Sequence, residues 1–383
     1  MSEFKCEVVQ VTIEPHPNGE FIELARIGDY LSVVKKGEFQ SGDLAVYIPE
    51  QAMLPAWLLS KMGFVDAFSG KGKLHGAGGN RVKAAKLRGI VSQGLMLKCE
   101  SDTHGYLVKN ETDTIPVGFG DDLAEFLGIT KYEPLVPSHM RGNIIGVDFH
   151  ATHGYDFDNL KKTPDLFEDG EEVVITEKIH GTLLAICVVP EKDANEKYYR
   201  GRVTISSKGM GAKGFVLDHN DEGNIYAQTV KKYGLLDSMF EKFGEISNQS
   251  NKPVFLMGEV FGVTLGGKGV QDMTYAGVPL DFRAFDICLG NRENANYFYW
   301  SSFKDACNTM KIETVPLLYK GSYFKEMVLN LTDGQTTIGK GIREGVVVKS
   351  FNEAYHPLYG RKIAKSVSNA YLLRKTKDAT EYN

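Results

Sequence analysis

Charged residues inside or beside very apolar, strand-like segments are the feature that most constrains this chain. The segments Leu256–Gly262, Phe282–Ile287 and Arg343–Lys349 each carry charges in an otherwise apolar run, and Glu177–Thr182 lies between two more such runs. Burying a charge is costly unless the charge is paired or used. Several such segments in one part of the chain therefore predict strands whose charged residues line a shared pocket.

The order of the predicted elements divides the 383 residues into two domains. Short β-rich runs with turn signals at close spacing, such as Val8–Ile13, fill the first part and predict a small β-barrel or sandwich. Further strands, mixed with helical spacing at about 224–243 and 301–310, predict a mostly antiparallel α+β domain. We expect the first domain to span residues 1–150 and the second residues 151–383.

Composition and cysteine spacing exclude several classes of protein. No run of about 18 apolar residues is present, so we expect no membrane span, and Met1–Lys5 lacks the apolar stretch of a signal peptide. The five scattered cysteines form no C-x-x-C pair, which argues against a zinc ribbon or a thioredoxin-like site. Reduced core thiols and a cytoplasmic location, or the host cytoplasm if the protein is viral, are expected.

The segment Lys71–Lys98 has an unusual charge pattern. It holds seven cations and no acidic residue, whereas the whole chain has a net charge of −5. Cations without compensating carboxylates favour a surface that follows phosphates, and a solvated basic loop is the alternative. Within this segment, Lys83, Lys86 and Arg88 are the candidate nucleic-acid contacts.

Lys178 is the candidate nucleophile. It lies in the run Glu177-Lys178-Ile179-His180-Gly181-Thr182, a Gly-containing turn between two predicted strands. Partial desolvation lowers the pKa of a lysine, and the neutral amine is a nucleophile. A K-x-x-G spacing alone occurs in many proteins, so the weight comes from the charged strands that follow it in order.

This ordered series resembles the motifs of the covalent nucleotidyltransferase superfamily of ligases and mRNA capping enzymes. Glu-Lys-Ile-His-Gly-Thr is most similar to the nick-sealing, phage-type RNA ligases, since the other branches usually have Asp at the place of His180. Gly258–Gly262 resembles the third motif and Glu344–Lys349 the fourth, and the similarity covers about Thr176 to Leu372. The implied second domain is an ATP-grasp-like, antiparallel α+β nucleotidyltransferase domain.

The first half resembles the OB-type domain that precedes the catalytic domain in one branch of these ligases. The similar segments are Val33–Glu38, Gly42–Pro49 and Lys86–Gly94, together with Asn369–Leu372 near the C-terminus. The resemblance therefore implies an N-terminal OB-like, RNA-binding domain.

The resemblance implies an ATP-dependent RNA ligase that joins 3′-hydroxyl and 5′-phosphate ends through AMP bound covalently to Lys178. Duplexed RNA is the expected substrate, Mg²⁺ or Mn²⁺ the expected metal and a monomer the expected state. The implied catalytic residues are Lys178, His180, Lys349 and Lys365, with His180 serving the RNA-joining steps. The implied ATP contacts are Glu177, Lys178, Gly181, Lys208, Glu259, Phe285, Glu344, Lys349 and Lys365, and the implied metal ligands are Glu259 and Glu344.

Several assignments keep an alternative. Phe285 is expected to stack on adenine, and Phe282 is the other candidate. Glu259 and Glu344 are alternatively acids at a strand edge that pair with nearby cations. His180 is alternatively a loop histidine whose polar atoms are satisfied by its neighbours.

The chain departs from the family pattern at two places. Ile363 stands where the fifth motif normally has its first lysine, which leaves open whether Lys362 replaces that lysine. Lys208 stands where the strand after the first motif usually supplies an arginine, and a lysine offers a point charge instead of a bidentate fork.

Three other functions fit parts of the pattern. A capping guanylyltransferase and a DNA ligase share the fold, and an RNA-binding protein with a decayed catalytic domain is an alternative of another class. The charged residues Lys178, Glu259, Glu344 and Lys349 are all present, which argues against decay.

Overall fold

The computed structural model describes residues 4–133, 142–194 and 202–374. The chain forms two compact units. Among the described residues, the N-terminal unit contains 4–133, Lys161–Pro164 and 369–374, and the C-terminal unit contains 142–160, 165–194 and 202–368. No helix in the described ranges is long and apolar enough to cross a membrane.

The N-terminal unit consists mainly of short strands. They are β1 (Val8–Gln10), β2 (Thr12–Pro15), β3 (Ile22–Ile27), β4 (Tyr30–Lys35), β5 (Leu44–Ile48), β6 (Ala52–Met53), β7 (Ala85–Leu87), β8 (Ile90–Ser92), β9 (Leu95–Lys98), β10 (Glu100–Asp102), β11 (Gly105–Lys109), β12 (Thr114–Val117) and β13 (Thr130–Lys131), with helix α1 (Ala56–Lys61) after β6. The larger sheets have the orders β1-β5-β9, β2-β3-β4 and β10-β11-β12.

The β-rich run Val8–Ile13 forms two strands instead of one. Val11 lies between them, its N–H donates to the carbonyl of Asp43, and its own carbonyl accepts from Gly42 N–H. As a result β1 pairs with β5, whereas β2 pairs with β3 in another sheet. A strand that changes sheets at a bend is how small β folds turn a corner.

The C-terminal unit contains the remaining elements. Its strands are β14 (Ile144–Val147), β15 (Glu172–Lys178), β16 (Thr182–Val188), β17 (Val203–Ser207), β18 (Phe215–Leu217), β19 (Val254–Phe261), β20 (Asp281–Leu289), β21 (Asn296–Tyr297), β22 (Leu317–Ser322), β23 (Gly345–Ser350), β24 (Tyr355–His356), β25 (Gly360–Arg361) and β26 (Ile363–Val367). Its helices are α2 (Lys208–Ala212), α3 (Ile225–Tyr233), α4 (Leu235–Ser250), α5 (Trp300–Thr309) and α6 (Lys325–Thr332), besides a 3₁₀ turn at Glu191–Asp193; α7 (Asn369–Leu372) follows in the N-terminal unit.

The helix predicted at 224–243 is two helices. Gly234 between α3 and α4 has a φ of 59°, a left-handed conformation that ends a helix and that glycine adopts at little cost. Asn224 caps the start of α3, because its side-chain oxygen accepts from the N–H groups of Tyr226 and Ala227. The helix predicted at 301–310 is α5.

Two antiparallel sheets form the framework of the C-terminal unit. One has seven strands in the order β14-β18-β17-β16-β19-β20-β21, and the other has four in the order β22-β15-β23-β26. Leu184 and Ile186 of β16 share a buried cluster with residues of α3, α4 and α5, whereas Leu183 and Ala185 share another with Ile363 of β26. We call the faces that meet in this second cluster the inner faces of the two sheets.

All five cysteines are buried and none is in a disulfide, which confirms the prediction of core thiols. Burial raises the pKa of Cys6 to about 12 and of Cys99 to about 11, so these thiols are not poised as nucleophiles.

Candidate functional site

Strand pairing places three lysines on one inner face. Lys178 lies opposite Gly345, and Val347 lies between Thr176 on one neighbour and Lys365 on the other. Since paired residues share a face and side chains alternate along a strand, Lys178, Lys349 and Lys365 line the inner face of the four-stranded sheet. Lys349 and Lys365 are buried, and the Lys178 side chain is 14% exposed.

The Lys178 amine forms an ion pair with Glu344. Lys178 Nζ lies 2.6 Å from Glu344 Oε1, and Glu344, just before β23, is buried. Burial disfavours the Glu344 carboxylate, but Lys178 and His180 outweigh it and lower the pKa of Glu344. The second oxygen, Oε2, has no hydrogen-bond partner among the described residues.

His180 lies between two acidic side chains. Its Nε2 is 2.7 Å from Asp272 Oδ1, its Nδ1 is 3.5 Å from Glu344 Oε2, and the ring is buried. Burial disfavours the imidazolium, but the two acidic neighbours, Asp272 and Glu344, outweigh it and raise the pKa of His180. These partners also fit a satisfied loop histidine, so the role of His180 in RNA joining stays a prediction.

Glu259 faces Lys178 from the seven-stranded sheet. It pairs with Leu183, which places it on the inner face of that sheet. Burial, the largest effect, raises the pKa of Glu259 to about 7, while Lys178 acts in the opposite direction. Gly181 lies against this residue: a Cβ there would be 2.3 Å from the carbonyl oxygen of Val260 and 3.0 Å from Glu259 Cγ. Only glycine fits this close approach.

Glu259 and Glu344 fit the donor set that Mg²⁺ prefers. Two oxygen ligands are available next to Lys178. One is Glu344 Oε2, which has no hydrogen-bond partner among the described residues, and the other is the half-buried Glu259 carboxylate. No group of three or more His, Cys, Asp or Glu side chains suited to a metal occurs in the described parts of the chain. Mg²⁺ is usually held by one or two carboxylates together with waters and substrate phosphates, so a two-carboxylate site suits it.

Lys208 is joined to Lys365 through a shared carboxylate. Lys208 Nζ lies 3.5 Å from Asp156 Oδ1, and Lys365 Nζ lies 4.0 Å from the same oxygen. The structure therefore brings Lys208 close to Lys365, while its contact with ATP stays a prediction. Sequence reasoning missed Asp156, because nothing in the irregular stretch around it marks one acid over another.

A buried charge network lies beneath Lys349. Lys349 Nζ is 3.0 Å from Asp286 Oδ1, and Arg361 Nη1 is 2.7 Å from Asp286 Oδ2. Arg361 also forms a two-pronged pair with Glu353 at 2.8 and 2.7 Å, and Tyr155 donates to Asp286. Burial opposes the Asp286 carboxylate, but Arg361 and Lys349 outweigh it and lower the pKa of Asp286. Sequence reasoning found Lys349 but not this role of Arg361.

Lys362 does not occupy the place of the missing lysine. Its Nζ lies 2.7 Å from Glu171 Oε2. Because side chains alternate along an extended segment, that of Lys362 points to the face opposite to those of Arg361 and Ile363. Ile363 is buried in the inner-face cluster. Lys365 is thus the cation that the fifth motif contributes to the lysine-bearing face.

Glu177 is held away from Lys178. Its carboxylate accepts hydrogen bonds from the Thr336 hydroxyl and from the N–H and hydroxyl of Thr337, at 2.9 and 2.6 Å for the latter two. Neighbouring residues of a strand point to opposite faces, so the structure does not bring this carboxylate into the Lys178 cluster. Its contact with adenine stays a prediction.

The two phenylalanines of β20 lie on different faces. Phe282 packs in the helix-covered core, and its ring covers Gly258, where a Cβ would be 2.3 Å away. Phe285 packs against the inner-face cluster, with its ring centroid 5.1 Å from that of Tyr155. The position of Phe285 favours it over Phe282 as the ring for a base.

The cations of the basic segment in the N-terminal unit differ in burial and in their partners. Lys86 and Arg88 are exposed on the β7–β8 hairpin, while the Lys83 amine donates to the carbonyl of Arg374 at 3.2 Å. Arg81 is buried against the Tyr132 ring. Lys98 is also compensated, since its Nζ lies 2.9 Å from a carboxylate oxygen of Asp43, the residue before β5. Asp43 is distant in sequence from Lys98, so the charges of the segment alone do not reveal this ion pair.

A lysine between buried acids and cations, where two antiparallel sheets pack face to face, is the arrangement expected of a covalent nucleotidyltransferase-type domain. The sequence matches the family model for RNA ligase over residues 171–367 and a model for an OB-fold domain over residues 7–99. The chain belongs to the RNA ligase family. The predicted fold class, an OB-like domain followed by a mostly antiparallel α+β ligase domain, and the predicted enzyme class are confirmed.

Solved structures agree with this fold. The chain is 22% identical to a Naegleria gruberi RNA ligase with PPi, with a TM-score of 0.70 and coverage of 97% of this chain and 98% of that one. A lysine-to-alanine mutant of that ligase with ATP and Mn has a TM-score of 0.69 at 21% identity, with coverage of 96% and 97%. A lysine-to-methionine mutant with AMP and Mn also gives 0.69, at 22% identity and with coverage of 96% and 97%. A comparison with curated protein sequences gave no match.

The contrast between Lys365 and Lys362 gives a direct test of the site. We expect Lys365→Met to slow formation of the protein–AMP bond about 100-fold, because a cation aimed at a reacting phosphate is lost. Lys362→Met should change the rate less than about threefold, because only a partly exposed ion pair is removed. Single-turnover incorporation of labelled AMP measures both rates. Equal loss in the two variants would contradict the assignment.

Proposed function

We propose that this protein is an ATP-dependent RNA ligase that joins 3′-hydroxyl and 5′-phosphate ends through an AMP bond to Lys178. The observation that carries the proposal is the cluster around Lys178, which pairs with Glu344 at 2.6 Å and shares its sheet face with Lys349 and Lys365. Lysines on this face suit a chain of phosphates, and the facing acids suit a divalent cation.

The proposed reaction has three displacements at phosphorus. Lys178 Nζ bonds to the α-phosphorus of ATP, and the bond to pyrophosphate breaks. A 5′-phosphate oxygen of RNA then bonds to that phosphorus and releases Lys178, giving an RNA end capped with AMP. Finally the 3′-hydroxyl oxygen loses its proton, bonds to the 5′-phosphorus and displaces AMP. Each step depends on alignment and charge neutralisation, which fixed lysines supply.

Lys208, Lys349 and Lys365 are the proposed phosphate contacts, and Glu259 and Glu344 the proposed ligands of Mg²⁺ or Mn²⁺. When bound, the metal would neutralise phosphate charge as a Lewis acid. The related Naegleria structures contain ATP or AMP with Mn, which supports the proposal of ATP and a divalent metal as ligands here. Phe285 is the proposed ring against adenine, and His180 is assigned to the RNA-joining steps.

The proposed substrate is a break in duplexed RNA. Family membership supports RNA, and the exposed Lys86 and Arg88 supply cations suited to its backbone. The monomeric state and the cytoplasmic location stay predictions from the sequence.

Covalent labelling tests the nucleophile. With α-labelled ATP and Mg²⁺, the native protein should take up an acid-labile, hydroxylamine-sensitive label, whereas Lys178→Ala should take up none because the attacking amine is gone. Lys192→Ala, which removes an exposed lysine, is the matched control and should label normally. Label that persists on Lys178→Ala would overturn the site.

The same assay separates the rival functions. Unlabelled GTP that competes better than ATP would indicate a capping guanylyltransferase, and sealing of nicked DNA in preference to nicked RNA would indicate a DNA ligase. RNA binding by a native protein that takes up no label would indicate a binding protein.

The raised pKa of Glu259, about 7, predicts how labelling depends on pH. A protonated carboxyl cannot hold a metal, so at limiting Mg²⁺ the rate should fall as the pH drops through about 7. Because metal and proton compete, a tenfold increase in Mg²⁺ should move the midpoint down by about one pH unit. Rate–pH profiles at two Mg²⁺ concentrations measure this shift. A midpoint that does not depend on Mg²⁺ would contradict the role of Glu259.

The β7–β8 hairpin predicts a salt-dependent contribution to RNA affinity. The double variant Lys86→Ala with Arg88→Ala should weaken binding and lower the slope of log affinity against log salt by about 1 to 2, as expected for lost phosphate contacts. Self-adenylation should be unaffected. Lys109→Ala, another exposed cation of this unit, is the control. An unchanged slope in the double variant would show that the hairpin does not contact RNA.

A further inference from the structure

The segment 262–280, which connects β19 to β20, contacts the turn that follows Lys178. Gln271 Nε2 donates to the carbonyl of Gly181 at 3.2 Å, and the N–H of His180 donates to the Tyr275 hydroxyl at 2.6 Å. Asp272 Oδ1 lies 2.7 Å from His180 Nε2. The turn is thus fixed from outside its own strands, by residues about 90 positions further along the chain.

The contact with Asp272 fixes the orientation of the His180 ring. A carboxylate only accepts hydrogen bonds, so Nε2 carries the proton in this pair. With Nε2 bound to Asp272, the other nitrogen, Nδ1, is directed at Glu344 Oε2, 3.5 Å away. A ring flip about the Cβ–Cγ bond would break the Asp272 contact inside a buried site, where an unpaired polar atom is costly.

Asp272 differs from the other acids of the site in its position. Its side chain is 21% exposed, whereas that of Glu344 is fully buried. It lies on a connecting segment and not on a sheet strand, and it bonds to the imidazole instead of to Lys178. A hydrogen bond on the far nitrogen of a functional histidine is the usual means of setting the tautomer and the direction of its ring.

We propose that Asp272 is a positioning residue that orients His180 for the RNA-joining reaction. This inference rests on the proposed ligase function. Asp272 would act only through the imidazole, so its removal should matter only while His180 is present.

A double-mutant cycle tests this dependence. The native protein, Asp272→Ala, His180→Ala and the double variant are loaded with AMP, and the rate of sealing a nicked RNA duplex is measured in a single turnover. We expect Asp272→Ala to slow sealing about 10- to 100-fold, the usual effect of removing the partner that orients a functional histidine. In the His180→Ala background the same change should alter the rate less than about twofold.

A conservative variant separates orientation from folding. Asp272→Asn keeps a side-chain oxygen that accepts from Nε2, so it should restore sealing to within about fivefold of native, unlike Asp272→Ala. Glu293→Ala, which removes an exposed acid elsewhere in the unit, should seal at the native rate. The side-chain ¹H–¹⁵N resonance of the His180 Nε2 proton should be protected from exchange in the native protein and in Asp272→Asn, and lost in Asp272→Ala.

The outcomes distinguish the two proposals. A native protein that forms no AMP adduct would overturn the ligase function itself. If the adduct forms but the losses from Asp272→Ala and His180→Ala multiply in the double variant, the inference about Asp272 is wrong. It is also wrong if Asp272→Asn seals as poorly as Asp272→Ala, or if the Nε2 proton stays protected in Asp272→Ala.

Discussion

The cost of holding charges between two packed sheets governs the C-terminal unit. Glu344, Asp286, Lys349 and Lys365 are all nine-tenths buried or more, where an unpaired charge would be strongly destabilising. Each finds an opposite charge: Glu344 meets Lys178, Asp286 meets Lys349, and Lys365 meets Asp156. The pairs lie between inner faces whose apolar residues, such as Leu183 and Ile363, share one cluster. The apolar contacts hold the sheets together, and the ion pairs make the buried charges tolerable at the site.

Strand register determines which charged side chains lie on the inner faces of the two sheets. A slip of one residue in β23 or β26 would turn Lys349 or Lys365 to the opposite face and bury valines or alanines in their place. The same slip in β19 would remove Glu259 from Lys178. Gly181 adds a local restriction, since a side chain there would collide with the β19 backbone. The surroundings of Lys178 therefore depend on pairing along three strands and on one close backbone approach.

The sequence predicted the parts of the site whose chemistry is local. Lys178, Glu259, Glu344 and Lys349 each stand out against apolar neighbours within a few residues, so a short window identifies them. The roles of Asp272, Asp156 and Arg361 were not predictable in this way, because each depends on a partner distant in the chain, as with Asp272 and His180. For the same reason the partner of Lys98 was missed. The break at Gly234 and the bend at Val11 were missed because helical spacing and β-rich composition continue through both points.

Arg361 shows why an extra cation near the fifth motif need not contact phosphate. Arg361 lies two residues before Ile363, so its side chain points to the same face as that of Ile363. By this criterion alone, Arg361 could replace the missing lysine. Its guanidinium, however, is already bound by Asp286 and Glu353 and lies 3.5 Å from the centre of the Tyr297 ring. Releasing it would leave two buried carboxylates with less compensating charge, which is destabilising. Arg361 thus binds the Asp286 carboxylate that pairs with Lys349, and Lys365 is the cation of the fifth motif on the inner face.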